Sequence, residues 1–108
     1  MKVRQWQIWK AMPQGFASDR WFVIASGQER LDSPRHRQIN GLACYTLRGL
    51  PGPTDVQLNS ADGFAAPTAC QCDLLYFLDK RQLHSSLGAV SWERQQQIKS
   101  KLKELLRL

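Results

Sequence analysis

Between Arg4 and Leu78 apolar residues either alternate with polar ones or run together in short blocks, whereas after Ser91 they recur every three or four positions. The first pattern is that of strands, the second that of one amphipathic helix. RQWQIWK (4–10) puts Trp6 and Ile8 on one face of a strand and Trp9 on the other, and Pro13 and Gly15 then mark a loop. WFVIAS (21–26) is a second strand whose unbroken apolarity predicts cover on both faces. GQERLDSPRHRQ (27–38) is too charged to be buried and is expected to be a loop. INGLACYTL (39–47) resumes strand character, GLPGPTD is a turn, VQL a short strand, and SADGFAAPT a further loop. ACQCDLLYFL (69–78) is expected to be the longest strand, with Cys70, Cys72, Leu74, Tyr76 and Leu78 on one side.

In the tail, Ile98, Leu102, Leu105 and Leu106 form one helical stripe. Ser91 stands where an N-cap would, and Glu93 lies in the first turn, where the helix dipole favours an anion. Arg94 occupies the place where a capping box needs Glu or Gln. The elements predict one domain over residues 1–108, mainly β with a C-terminal helix. The sheet before about residue 80 should be small, curled and antiparallel, or an SH3-like barrel, with the helix packed on it.

Charge adds a direction. The formal net charge is +6, yet no Lys or Arg lies between Gly49 and Asp79. The cations gather before that stretch (Arg30, Arg35, Arg37, Arg48) and in the tail. A basic surface suits a polyanion, and it also serves solubility; charge alone favours neither. WFVIA is far shorter than the roughly 20 apolar residues of a membrane span, and the N-terminus has no signal-peptide pattern, so a cytoplasmic location away from membranes is expected. Cys44, Cys70 and Cys72 make an odd count, which argues against a disulfide framework. His36 and His84 lack ligand spacing, so reduced thiols are favoured over a metal site, and neither metal nor cofactor is expected.

Arg20 poses the functional question. A permanent cation at the mouth of an apolar strand is either a solvated loop end, paired with Asp19, or a group held there to meet an anion. VRQWQIWKAMP, SDRWFVIAS, GLACYTL, CDLLYFLDKRQL and LGAVSWERQQQIKSKLKELLRL, taken in this order, resemble the MazF/PemK family of toxin endoribonucleases from bacterial toxin–antitoxin modules. The last of these stretches resembles the family's closing Gly-x-Val/Leu turn and helix. The resemblance implies a CcdB/MazF-type toxin fold and metal-independent cleavage of single-stranded RNA, with the neighbouring 2′-hydroxyl as nucleophile.

By motif position the resemblance carries the catalytic role onto Arg20 and Thr46. Arg offers a planar fork of donors to phosphoryl oxygens and Thr a further hydroxyl, which suits them to stabilise charge rather than to act as general bases. Asp73 is a candidate for orienting Arg20. Arg35 and Arg37 are candidate phosphate contacts, and Trp9, Phe16 and Trp21 candidate stacking platforms for unpaired bases. Trp21 stands where the family usually has Pro, and Tyr76 where it has a basic residue. The family also implies a homodimer and a cognate antitoxin. Two other readings stay open: a CcdB-like poison of DNA gyrase, although the Trp-Gly-Ile ending of CcdB is absent, and a non-enzymatic basic adaptor for nucleic acid or protein.

Overall fold

The computed structural model describes residues 2–108. Seven strands, β1 (Gln7–Ala11), β2 (Arg20–Ile24), β3 (Gln38–Thr46), β4 (Asp55–Leu58), β5 (Thr68–Gln71), β6 (Tyr76–Asp79) and β7 (Ser85–Ala89), form one antiparallel sheet. Its order is β4-β5-β3-β2-β1-β7, with β6 also paired to β3. Two α-helices, α1 (Gln28–Asp32) and α2 (Trp92–Leu106), accompany the sheet among the described residues. No helix among the described residues is long and apolar enough to cross a membrane.

Both faces of the sheet are covered, as the unbroken apolarity of β2 predicts. Alternation sends Val23, with Ile8, Leu42, Val56 and Leu58, to one face, where Ile98, Leu102 and Leu105 of α2 pack. Phe22 and Ile24, with Trp9, Ile39, Ala43 and Leu78, go to the other, which Leu31 of α1 helps close. Each fully buried Ile, Leu or Phe contributes about 1.5–3 kcal/mol of transfer free energy. The charged 27–38 segment is thus not all loop: Leu31, buried in the midst of exposed polar residues, anchors a short helix. Leu106, placed by periodicity on the stripe, is exposed instead.

β3 is the hub. One edge pairs β2, and the other is shared between β6 at its start and β5 at its end. Cys44 faces Cys70 and Gly41 faces Tyr76, so three steps along β3 match six along the partner. Three residues therefore loop out around Asp73–Leu75, and the expected long strand is two short ones. An odd insertion flips the side-chain parity. Cys70 and Cys72 join the α2 face while Tyr76 and Leu78 join the other, and Leu74 is exposed, so the five residues do not share one side. The close of the sequence also differs from expectation: the Gly-x-Val turn that the resemblance implies at Gly88–Val90 overlaps a strand, Ser85–Ala89, paired with β1. Its Ser and Gly content and mostly exposed side chains leave little strand signal.

α2 starts at Ser91 as expected, but its hydroxyl makes no cap. The carboxylate of Asp62, itself buried, accepts from the Ser91 N–H at 2.8 Å and the Asn59 N–H at 2.9 Å, tying the 60–62 turn to the head of α2. Cys44, Cys70 and Cys72 are buried free thiols. Hydrogen bonding to Cys44 and Cys72, reinforced by burial, pushes the Cys70 thiol well above its usual value.

Candidate functional site

The start of β2 and the end of β3 lie at one end of the sheet, since Trp21 faces Cys44 across the ladder. A cleft of about 440 Å³ opens there, with Arg20, Trp21, Tyr45 and Thr46 among its lining residues, together with Asp19 and the Phe64–Ala66 loop. Both Arg20 and Thr46 are exposed, so neither side chain is consumed by the core. They come from opposite faces by alternation: Arg20 shares parity with Phe22, Thr46 with Cys44. Only the strand ends, at the open rim, let them line one cleft.

The Arg20 guanidinium lies over the Phe16 ring, 5.9 Å from its centroid. Phe16 is in turn held edge-on by Phe22 and Tyr76, at centroid distances of 5.9 and 5.2 Å. Such stacking leaves the guanidinium's in-plane N–H donors free for an anion. Asp19 does not take them: its Oδ1 pairs with His84 Nε2 at 3.2 Å. On the far wall the Tyr45 hydroxyl donates to Asp55, and this bond, with burial and the charges of Asp55 and Asp73, pushes the phenol up to about 12.

The remaining sequence-named residues are dispersed. Trp21 is half-buried in the cleft wall, with Lys10 Nζ 5.2 Å from its ring centroid. Trp9 is a correction: it is 5% exposed and its indole N–H is bonded to Gln7 Oε1, so its ring belongs to the core and is closed to a base. Asp73 is another, because it sits in the β5–β6 loop outside the cleft, and its field acts on Tyr45. Arg35 and Arg37 line a separate groove at the opposite end of β3. Sequence reasoning did not name Tyr45 or His84 as site residues, and Asp19 entered only as a partner for Arg20. Tyr45 was adjacent to a named residue, whereas His84 is 65 positions from Asp19 and carried no local signal. A larger hollow of about 580 Å³ between β4 and α2 is lined by Asp55 but by none of the site residues expected from the sequence. Among the described residues no group of three or more His, Cys, Asp or Glu side chains is placed to hold a metal ion.

Solved structures decide the fold. An endoribonuclease from a mycobacterial species matches with a TM-score of 0.79, covering 100% of this chain and 94% of that one, at 19% identity. The MazE–MazF complex of Deinococcus radiodurans contains a chain matching at 0.78, over 100% and 99%, with 15% identity. The fold is that of the MazF toxins. The Mycobacterium tuberculosis toxin MazF-mt6 matches at 0.77, over 94% of this chain and 97% of its own, with 17% identity. No family model and no curated protein matches the sequence. At such identities the MazF likeness carries the architecture, and the chemistry must be argued from the cleft.

Proposed function

We propose that this protein is the toxin of a toxin–antitoxin pair and an endoribonuclease that cleaves single-stranded RNA without a metal ion. The observation that carries the reading is that Arg20 and Thr46, far apart in sequence, line one open cleft on a MazF-type fold. In the proposed step the 2′-oxygen of the RNA attacks the adjacent phosphorus. The O2′–P bond forms, the P–O5′ bond breaks, the 2′-hydroxyl loses its proton and the departing 5′-oxygen gains one. Charge builds on the phosphoryl oxygens, where Arg20 and Thr46 supply preorganised donors. The products are a 2′,3′-cyclic phosphate and a 5′-hydroxyl.

Similar chains in solved structures are described as an endoribonuclease with its cognate antitoxin and as MazF with MazE, which supports an antitoxin as partner. An acidic, disordered antitoxin tail would be drawn to the basic surface. Exposed Leu50 and Trp92, 94% and 70% accessible, are apolar surface that a homodimer could cover. The deciding experiment is incubation of the purified protein with single-stranded RNA in EDTA, followed by mapping of the cut ends. Cyclic-phosphate and 5′-hydroxyl ends are expected. A metal requirement overturns the mechanism, and a folded protein that cuts no single-stranded RNA moves the reading to a gyrase poison or an adaptor.

A further inference from the structure

At the end of β3 away from the cleft, Arg30, Arg35, His36, Arg37 and Arg81 line a groove of about 460 Å³, with Asp79 as its one carboxylate. Hydrogen bonds fix its walls. Lys80 Nζ donates to the carbonyls of Arg30 and Ser33, each at 2.9 Å, and the Lys80 N–H donates to Arg37 O at 2.9 Å. The segment that carries Arg35 and Arg37 is thereby pinned to the end of β6. Arg30 Nε donates to Gln38 O at 2.9 Å, which leaves the terminal nitrogens of that guanidinium available. Asp79 accepts from Arg81 Nε at 3.1 Å and Nη2 at 2.8 Å, and these bonds pull its carboxyl down to about 2. Arg30, Arg35 and Arg37 are paired with no carboxylate among the described residues. Four arginines and one carboxylate leave a net charge of +3 in the groove, and the planar forks of the unpaired guanidinium groups suit phosphoryl oxygens.

One aromatic ring stands beside that charge. Phe77 and Asp79 alternate to the same face of β6, opposite Asn40 and Gln38 of β3, with their Cα atoms roughly 7 Å apart. Gln38 and Asp79 also border a second hollow, which Phe77 lines. Phe77 is 69% exposed, and its ring takes part in no aromatic pair among the described residues. Tyr76 and Leu78 turn the other way, toward the core. The ring and the arginines therefore form a site of their own, sharing no residue with the Arg20–Thr46 cleft. Clustered positive charge is best met by several negative charges on adjacent atoms, which a di- or triphosphate chain gathers and a single carboxylate does not. RNA spreads one charge per nucleotide, so little of a strand's charge would fall in the groove. An exposed ring at a distance that a ribose bridges then favours a phosphate chain carrying a base, since a nucleobase stacks on Phe.

We infer that this groove is a nucleotide site, in which the arginines hold the phosphates of a nucleoside di- or triphosphate and Phe77 stacks on its base. The site does not depend on the nuclease reading of the cleft. The test is isothermal titration calorimetry at low salt, without divalent metal, using adenosine and guanosine triphosphates, their monophosphates and inorganic triphosphate. The nucleoside triphosphates should bind about tenfold or more tightly than the monophosphates. Arg35→Gln/Arg37→Gln should weaken nucleoside triphosphate and inorganic triphosphate alike, by about tenfold or more. Phe77→Ser, at an exposed position, should lose several-fold for the nucleotides and nothing for inorganic triphosphate. Arg20→Ala, in the cleft, should bind all of them as the wild type does. A wild type that binds none of these triphosphates would overturn the inference, as would binding that Arg20→Ala abolishes and the groove variants keep. Nucleotide affinity equal to that of inorganic triphosphate and untouched by Phe77→Ser would sink it too, since the ring would then take no part. Displacement of the nucleotide, charge for charge, by a 5′-hydroxyl 2′-O-methyl oligoribonucleotide or by poly-glutamate would make the groove a polymer's path and end the nucleotide assignment.

Discussion

Asp19 Oδ1 lies 3.2 Å from His84 Nε2, so the carboxylate next to Arg20 is partnered from the opposite side of the sheet edge. His84 is itself placed by its N–H, which donates to Lys10 O on β1 at 3.2 Å. An anion lining a cleft meant for phosphate would repel substrate unless something offsets it. His84→Ala is therefore expected to weaken RNA binding several-fold at low salt by leaving the Asp19 carboxylate without its hydrogen-bond partner. The double variant Asp19→Asn/His84→Ala should regain most of the loss. Losses that simply add would show that the two residues act independently.

Arg20→Ala should lower the cleavage rate by about 10²–10³-fold, the usual loss of one preorganised donor to developing charge. Stability should hardly change, because the side chain is exposed. Arg20→Lys should recover little, since a point charge cannot reproduce the planar fork. Single-turnover kinetics on a fixed RNA, alongside urea unfolding, separates the two effects.

Gly41 has no room for a side chain. A Cβ there would stand 2.6 Å from Leu78 Cδ1 and 3.2 Å from Phe22 Cβ, both in the packed core. Gly41→Ala should cost about 1–3 kcal/mol by overpacking, read as a lower urea midpoint with an unchanged slope.

Asp62 satisfies two backbone N–H groups from within the protein, at Asn59 and at the head of α2. Asp62→Ala should cost about 2–4 kcal/mol, because both donors lose a charged acceptor. Ser91→Ala should cost far less, as its hydroxyl makes no cap. Thermal melts of the two variants test the ranking.

Tyr45 should deprotonate only near pH 12, through its bond to Asp55. A pKa raised in the folded state contributes stability that is whole below the unfolded value of about 10 and lost as pH rises through 12. Spectrophotometric titration should show one such tyrosine, and Asp55→Asn should return it toward 10.

Local pattern alone specified the strands from β1 to β4, the terminal helix with its Ser91 start, and Arg20 as a cation with no structural need to be there. Alternation and a 3.6-residue period are properties of the chain itself, so they survive without knowledge of partners. Tertiary structure decided what depends on pairing. The register change between β5 and β6 looped out the residues around Asp73 and sent Cys70 and Leu78 to opposite faces, because three extra residues invert the parity that a continuous strand would keep. Trp9 became core rather than a stacking platform, since an indole looks the same in sequence whichever layer covers it. Asp19 found His84, and Arg81 joined Arg35 and Arg37, through contacts bridging tens of residues. No local period records such encounters; the closing of the sheet around β3 creates them.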